Sequence, residues 1–172
     1  MHLFSSYAQR AARLRNRLVV SPMCQYSAQA GMPDDWHLVH LGTRAVGGAA
    51  VVFTEATAVA AEGRISPADA GIWNDAQQSA WARIAAFIDA HGALPAMQLA
   101  HAGRKASTAA PWNGGKGLAD ANGGWTPLAP SALPFQPDYR MPLSTASATS
   151  ASTPRLPMKC RRRQVRLACS PR

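Results

Sequence analysis

The chain has 172 residues, a length that can bury one hydrophobic core, and it carries a formal net charge of +9. All of its acidic residues precede Leu143 and seven basic residues follow it, so the charge belongs to a C-terminal tail and does not indicate that the folded part binds nucleic acid. The three cysteines, Cys24, Cys160 and Cys169, are an odd number and so cannot all pair in disulfides, which predicts a reducing, cytoplasmic location. No apolar run is long enough for a signal peptide or a membrane span.

The first predicted strand ends at a proline. Residues 1–17 predict an irregular or hairpin-like lead-in, and the β-branched run from Leu18 to Val20 predicts a short buried strand. Pro22 ends that strand because it has no N–H to donate. Cys24 and Tyr26 follow at once, so we expect a ligand site at the carboxyl end of the strand, the edge where parallel α/β folds bind ligands.

A helix and a second strand are predicted next. Asp34 and Asp35 supply an N-cap and first-turn negative charge for a helix from Trp36 to about Val46. The apolar run 49–54 predicts a parallel strand covered on both faces. A long loop is then expected from residue 55 to residue 73, and loops of that length are more often functional than mere connections.

A second helix begins near Asn74 or Asp75, either of which can cap it. Gly92 is placed to take the left-handed conformation that ends a helix, and residues 94–99 predict the third strand. The apolar stripe of the helix, at i, i+3, i+4 and i+7, comprises Trp81, Ile84, Ala85 and Ile88.

The alternation of strands and helices predicts right-handed βαβ crossovers and a parallel sheet in an α/β fold. Beyond Ala100 no further helix or strand is predicted, because the sequence is rich in turn-forming glycine and proline. From residue 144 onward the sequence has too little apolar surface to offset chain entropy. We therefore expect a folded part at 1–143 and a disordered basic tail at 144–172.

Four places that could carry chemistry follow the predicted strands: Cys24 with Tyr26, residues 55–57, Gln98 with His101, and Arg104 with Lys105. A parallel sheet would bring them to one rim. Each also has a plain structural interpretation. Cys24 could be a small buried hydrophobe, Tyr26 an ordinary rim residue, and the Arg104–Lys105 pair simply solvated. Gln98 is harder to explain in this way, because a buried amide needs partners for both its oxygen and its nitrogen.

His37 and His40 share a helix face at i, i+3 and raise the question of a metal site. A zinc site of that type needs a third protein ligand, and only isolated candidates such as His91 are present, so core or surface histidines are favoured and no metal is expected. The sequence has no phosphate-binding loop of the Walker type, no Gly-x-Gly-x-x-Gly after a strand and no Cys-x-x-Cys pair.

Several sequence blocks in order resemble the N-terminal half of the Old Yellow Enzyme family, over about residues 15–139. The similarity is greatest to its cysteine-bearing branch of NADPH dehydrogenases and xenobiotic reductases. The blocks are Arg15-Asn16-Arg17, Ser21-Pro22-Met23-Cys24-Gln25-Tyr26, Glu55-Ala56-Thr57-Ala58-Val59, Gly63-Arg64-Ile65, Gly71-Ile72-Trp73 and Gln98-Leu99-Ala100-His101-Ala102-Gly103-Arg104-Lys105.

This resemblance implies an FMN-containing (β/α)8 barrel in which NADPH or NADH gives hydride to the flavin and the flavin reduces an activated alkene. It implies a cofactor-binding set of Ser21, Pro22, Met23, Cys24, Ala56 and Gln98. Cys24 would tune the redox potential, Tyr26 would face the substrate, and Lys105 would lie near the ring as a third catalytic position. Relatives in the family are often homo-oligomers, and neither a membrane nor a specific nucleic acid is expected as a partner.

The chain lacks the family's paired histidines, the following tyrosine and the loops that hold the FMN phosphate, which belong to the second half of the barrel. About three βα units are present, and three strands cannot close a barrel. The serine, alanine, proline and arginine bias of the tail is typical of a GC-rich gene read out of frame. We therefore hypothesise a frameshift or truncation near Leu143, which resequencing across that junction would test. Two alternative functions stay open: a non-catalytic barrel fragment, and a weak nucleic-acid binder acting through residues 159–166.

Overall fold

Three parallel strands joined by two helices form the centre of the computed structural model, which describes residues 2–145. A short antiparallel hairpin of β1 (Tyr7–Gln9) and β2 (Ala12–Leu14) precedes them. The central elements in chain order are β3 (Val19–Val20), α1 (Asp35–Val46), β4 (Val51–Ala58), α2 (Asp75–Ala90) and β5 (Leu94–Ala100). The strand order is β3-β4-β5 with both pairings parallel, as the alternation of elements predicts.

Both helices begin at the predicted caps. The Asp34 side chain accepts hydrogen bonds from the backbone N–H groups of Trp36 and His37, and Asn74 rather than Asp75 caps α2 by accepting from the Gln77 N–H. His91 is the C-cap of α2, and Gly92 follows with φ +73°, the left-handed conformation expected of it. Local polar chemistry therefore sets where these helices start and stop.

The core lies between the helices and the sheet. The α2 side chains that the structure buries are Gln77, Trp81, Ile84 and Ile88, so the predicted stripe is confirmed except at Ala85, which is half-buried. From α1 the buried positions are His37, His40, Leu41, Gly42 and Ala45. A Cβ added at Gly42 would lie 2.8 Å from Cε1 of Phe87, so the absence of a side chain there lets the two helices approach closely.

The second strand is longer than predicted. The apolar run suggests an end at Thr54, but β4 continues to Ala58, so Glu55 and Ala56 lie within the strand and not in the following loop. The register with β5 shifts between Phe53 and Ala56, after which Ala56 pairs with Gln98. The loop also returns to the strand end, because the Ala58 N–H donates to Ala70 O and the Ile72 N–H donates to Ala58 O. Pairing on both sides thus extends β4 through residues whose types alone do not predict a strand.

The region after β5 is mostly irregular, but the prediction of no further strand is wrong. β6 (Leu128–Ala129) and β7 (Leu143–Ser144) form a two-residue parallel pair. Such short pairs leave no periodic pattern to detect. Ser144 therefore belongs to a strand, while residues 146–172, which hold nearly all of the predicted tail and the basic cluster at 159–166, lie outside the described residues. Within residues 2–145 no helix is long and apolar enough to cross a membrane.

Candidate active site

The segment 21–26 leaves β3 at its carboxyl end and passes over the neighbouring strand. The Cys24 thiol lies beside the backbone N–H of Ala56 in β4 and beside the Tyr26 hydroxyl, and both groups influence its pKa. Tyr26 has φ +51°, a left-handed conformation that is uncommon for a bulky residue. A strained position of this kind needs support from its surroundings and is often found at functional sites.

Gln98 lies one strand further along the same edge. It is the direct partner of Ala56 in the β4–β5 ladder, so Cys24, Ala56 and Gln98 occupy consecutive positions across the sheet. The sequence suggests a buried amide, but the Gln98 side chain is exposed. Its strand β5 is an edge strand of the three-stranded sheet among residues 2–145, so no strand pairs with its outer side. The amide can therefore offer both a donor and an acceptor to a bound molecule.

Burial raises the pKa of the Cys24 thiol above 9.0, and the negative charges of Asp69 and Glu55 add to this effect while the Ala56 N–H opposes it. Burial likewise raises the pKa of Tyr26 to about 12, with contributions from Cys24, Asp69 and Glu55. Both side chains are therefore neutral at pH 7. Cys24 is a thiol here rather than a reactive thiolate.

A buried carboxylate lies directly beneath this segment. The Glu55 side chain is 2% exposed, and its Oε2 accepts a hydrogen bond of 3.0 Å from the backbone N–H of Gln25. Its Oε1 lies 3.2 Å from Nε2 of His37, an ion-pair distance without hydrogen-bond direction. His37 Nδ1 is 2.7 Å from Oδ1 of Asp34, the N-cap of α1. Burial alone would lower the pKa of His37, but the Glu55 and Asp34 carboxylates outweigh it and raise that pKa above 6.5.

The long loop between β4 and α2 lies against the end of β5. The Val59 N–H donates to Ala100 O, and the Ala102 N–H donates to Gly63 O. Inside the loop, the Asp69 carboxylate is buried and accepts from the backbone N–H groups of Ile65 and Ser66 and from the Ser66 hydroxyl. Burial raises the pKa of Asp69 despite these hydrogen bonds. The loop is thus held by its own polar contacts and lies beside the carboxyl ends of β4 and β5.

Lys105 lies in a short 3-10 turn, Gly103–Lys105, just past β5. Both Lys105 and Arg104 are exposed, and Lys105 Nζ lies 4.3 Å from the centre of the Phe135 ring. On the other side of the rim, the Tyr26 ring meets Trp112 edge to face, with ring centres 5.4 Å apart. Contacts and register therefore bring together Cys24, Tyr26, Ala56 and Gln98, and Ser21, Pro22 and Met23 belong to the same segment. Lys105 instead packs on an aromatic side chain of the following loop.

Sequence reasoning missed the residues under the site. The sequence predicts His37 to be a core or surface histidine, and the structure buries it in the core, but its partner Glu55 lies in β4 and not in the predicted loop. The signal for Asp69 in the sequence is its position as an acidic residue in a long loop after a strand. No group of three metal-ligating side chains occurs among the residues that the structure describes.

The NADH:flavin oxidoreductase / NADH oxidase family matches residues 2–129. The chain is 43% identical over 144 residues to an NADPH dehydrogenase of Bacillus cytotoxicus, which covers 83% of this chain and 37% of that relative. An NADPH dehydrogenase of Geobacillus sp. is 40% identical over 153 residues, or 88% of this chain and 41% of the relative. The crystal structure of Old Yellow Enzyme from Pichia sp. superposes with a TM-score of 0.67 at 26% identity, over 84% of this chain and 38% of that one.

The chain spans about two fifths of the length of the curated relatives that it matches. The family resemblance drawn from the sequence blocks is confirmed, and so is the fold class of a partial (β/α)8 barrel. The part of the barrel that the match covers is the part that carries the rim described above.

Proposed function

Since the chain belongs to the NADH:flavin oxidoreductase / NADH oxidase family, we propose that it carries part of the flavin site of an FMN-dependent NAD(P)H oxidoreductase of the ene-reductase type. The substrate would be a small activated alkene such as an enone. A cytoplasmic location and a homo-oligomeric assembly stay predictions of the same kind. The observation that carries the proposal is that Cys24, which follows β3, lies beside Ala56 of β4, and that Ala56 pairs with Gln98 of β5.

The residues present fit a flavin. The exposed Gln98 amide offers a donor and an acceptor, which suits the pyrimidine edge of the isoalloxazine with its carbonyl oxygens and ring N–H. The backbone of Ser21 to Cys24 and that of Ala56 lie at the same edge of the sheet as Gln98. The neutral Cys24 thiol adds a polarisable group that introduces no charge beside the ring.

When bound, FMN would accept hydride from NADPH or NADH and pass it to the β-carbon of the alkene. The chain's own residues would bind and orient. Gln98 would hold the pyrimidine edge, and donors there favour the extra electron density of the reduced ring. Tyr26, a neutral phenol packed against Trp112, would face the substrate and present an O–H to it. Lys105 would stand at the outer rim, where Phe135 holds its ammonium.

A non-catalytic barrel fragment is the alternative prediction. Nucleic-acid binding through residues 159–166 has only generic positive charge behind it.

The test is flavin retention. The purified chain is incubated with FMN, free flavin is removed, and the absorption spectrum is recorded before and after anaerobic addition of NADPH. We expect retained flavin that NADPH bleaches. Gln98→Ala should weaken FMN binding about tenfold, the value of one hydrogen bond to the ring, whereas Gln136→Ala, an exposed glutamine in the irregular region, should leave it unchanged. A folded but colourless chain would favour the non-catalytic alternative.

A further inference from the structure

We propose that Glu55 and His37 are positioning residues that hold the segment 21–26 in place from beneath, and that the Glu55 carboxylate, bonded to the backbone next to Cys24, also places a negative charge beside that thiol. This inference rests on the proposed function only in identifying the segment as the one that faces the flavin. The hydrogen bond and the charge are separate roles of one side chain, so they can be tested separately.

The hydrogen bond fixes the segment at its most constrained point. Glu55 Oε2 accepts from the N–H of Gln25, which stands between Cys24 and the left-handed Tyr26. The segment has a second tie through the Gln25 side chain, whose Nε2 donates to Met23 O and whose Oε1 accepts from the indole N–H of Trp36 in α1. Because Glu55 is buried in the central strand β4, this hydrogen bond ties the segment to the middle of the sheet.

His37 compensates the negative charge of the buried Glu55 carboxylate. An unpaired buried carboxylate is costly, and such groups are stable only when an opposite charge and hydrogen bonds compensate them. The His37 ring is 1% exposed, lies against the edge of Trp81, and reaches Glu55 with one nitrogen and Asp34 with the other. Because Asp34 caps α1, the contacts run from the helix start through His37 and Glu55 to the backbone of Gln25.

Several charged or titratable groups face Glu55 from the elements around it. Asp69 comes from the long loop, Cys24 and Tyr26 from the segment itself, and His37 and His40 from α1. Arg44 lies near His40 and Arg64 near Asp69. Within this group Glu55 and Asp69 both oppose ionisation of Cys24. Removal of the Glu55 charge should therefore make the thiol more acidic.

Three variants of the full chain separate the two roles. Glu55→Gln keeps an acceptor for the Gln25 N–H but removes the charge, Glu55→Ala removes both, and His37→Gln removes the compensating ring. His91→Gln is the control, because His91 is the C-cap of α2, at the end of the fold opposite the segment.

The first readout is hydrogen exchange at the Gln25 amide, and the second is the pH profile of Cys24 alkylation by iodoacetamide, resolved by peptide mapping from Cys160 and Cys169. Neither requires flavin. We expect Gln25 to exchange at least about tenfold faster in Glu55→Ala and in His37→Gln, and to stay protected in Glu55→Gln and in the control. The alkylation profile of Glu55→Gln should move to lower pH.

Unchanged Gln25 exchange in a folded Glu55→Ala chain would overturn the hydrogen-bond role. An unshifted Cys24 profile in Glu55→Gln would overturn the charge role, and that variant remains decisive if Glu55→Ala does not fold. Flavin retention by the unmodified chain reports separately on the proposed function. Exchange and alkylation changes in a chain that binds no FMN would contradict the flavin assignment while supporting the positioning roles.

Discussion

Arg15 joins three parts of the chain at the end of the sheet opposite the rim, and its replacement should destabilise the fold. Its guanidinium donates to Ala45 O at 2.6 Å, to Ala49 O at 2.8 Å and to His91 O at 2.8 Å. These carbonyls lie at the end of α1, just before β4 and at the end of α2, where helix carbonyls have no partner within the helix. A positive charge is also favourable at helix carboxyl termini.

The expected loss of stability depends on how far each of the three Arg15 hydrogen bonds is buried. The bonds to Ala45 and Ala49 are partly buried, so their loss in Arg15→Gln costs about 1–1.5 kcal/mol each, with Ala45 O at the lower end because it keeps the Gly48 N–H as a donor. The bond to His91 is exposed, and water can replace it at little cost. We therefore expect a loss of about 2–3 kcal/mol in the free energy of unfolding, a large share of the stability of a small fold.

Urea denaturation followed by tryptophan fluorescence measures this loss. The midpoint of Arg15→Gln should fall by about 1–2 M. Arg15→Lys should be intermediate, because an ammonium lacks the planar fork that reaches several carbonyls at once. Arg13→Gln, an exposed arginine of β2 two residues away, is the control. Equal midpoints for Arg13→Gln and Arg15→Gln would refute the reasoning.

Two further predictions concern the loop and the buried pair. Gly71→Ala would place a Cβ within the Trp73 ring, so we expect about 1–3 kcal/mol of destabilisation by denaturation, and a wild-type midpoint would contradict this packing. His37 has a pKa raised above 6.5, so its stabilising charge is fully present below pH 6.5 and is lost as the pH rises through the folded-state pKa. Stability should fall as the pH rises above 6.5, and His37→Asn should remove most of that slope.

Local features of the fold could be predicted from the sequence. The Asp34 and Asn74 caps, the left-handed Gly92 and the stripe of Trp81, Ile84 and Ile88 all follow from the chemistry of residues within a few positions of each other. The order of the helices and strands could be predicted as well, because hydrophobic periodicity and turn-forming glycine and proline residues are local signals. The sequence blocks also indicated the family, and with it the residues of the rim.

What the sequence did not reveal are the contacts that depend on register. The end of β4 at Ala58 depends on pairing with β5 and with the loop at residues 70–72. The residue types around Ala58 do not predict either of these pairings. The exposure of Gln98 depends on β5 being an edge strand of the described sheet. Strand length and side-chain exposure are therefore tertiary properties here.

The sequence by itself determined the class of the fold, the caps of its helices and the segment that follows the first strand. Only the tertiary structure decided that Glu55 lies beneath Gln25, 30 positions away in the chain, and that His37 forms an ion pair with Glu55. The physical reason is that a buried carboxylate takes its partners from whatever the packing of the helix on the sheet brings within reach. No local pattern in the chain specifies that packing.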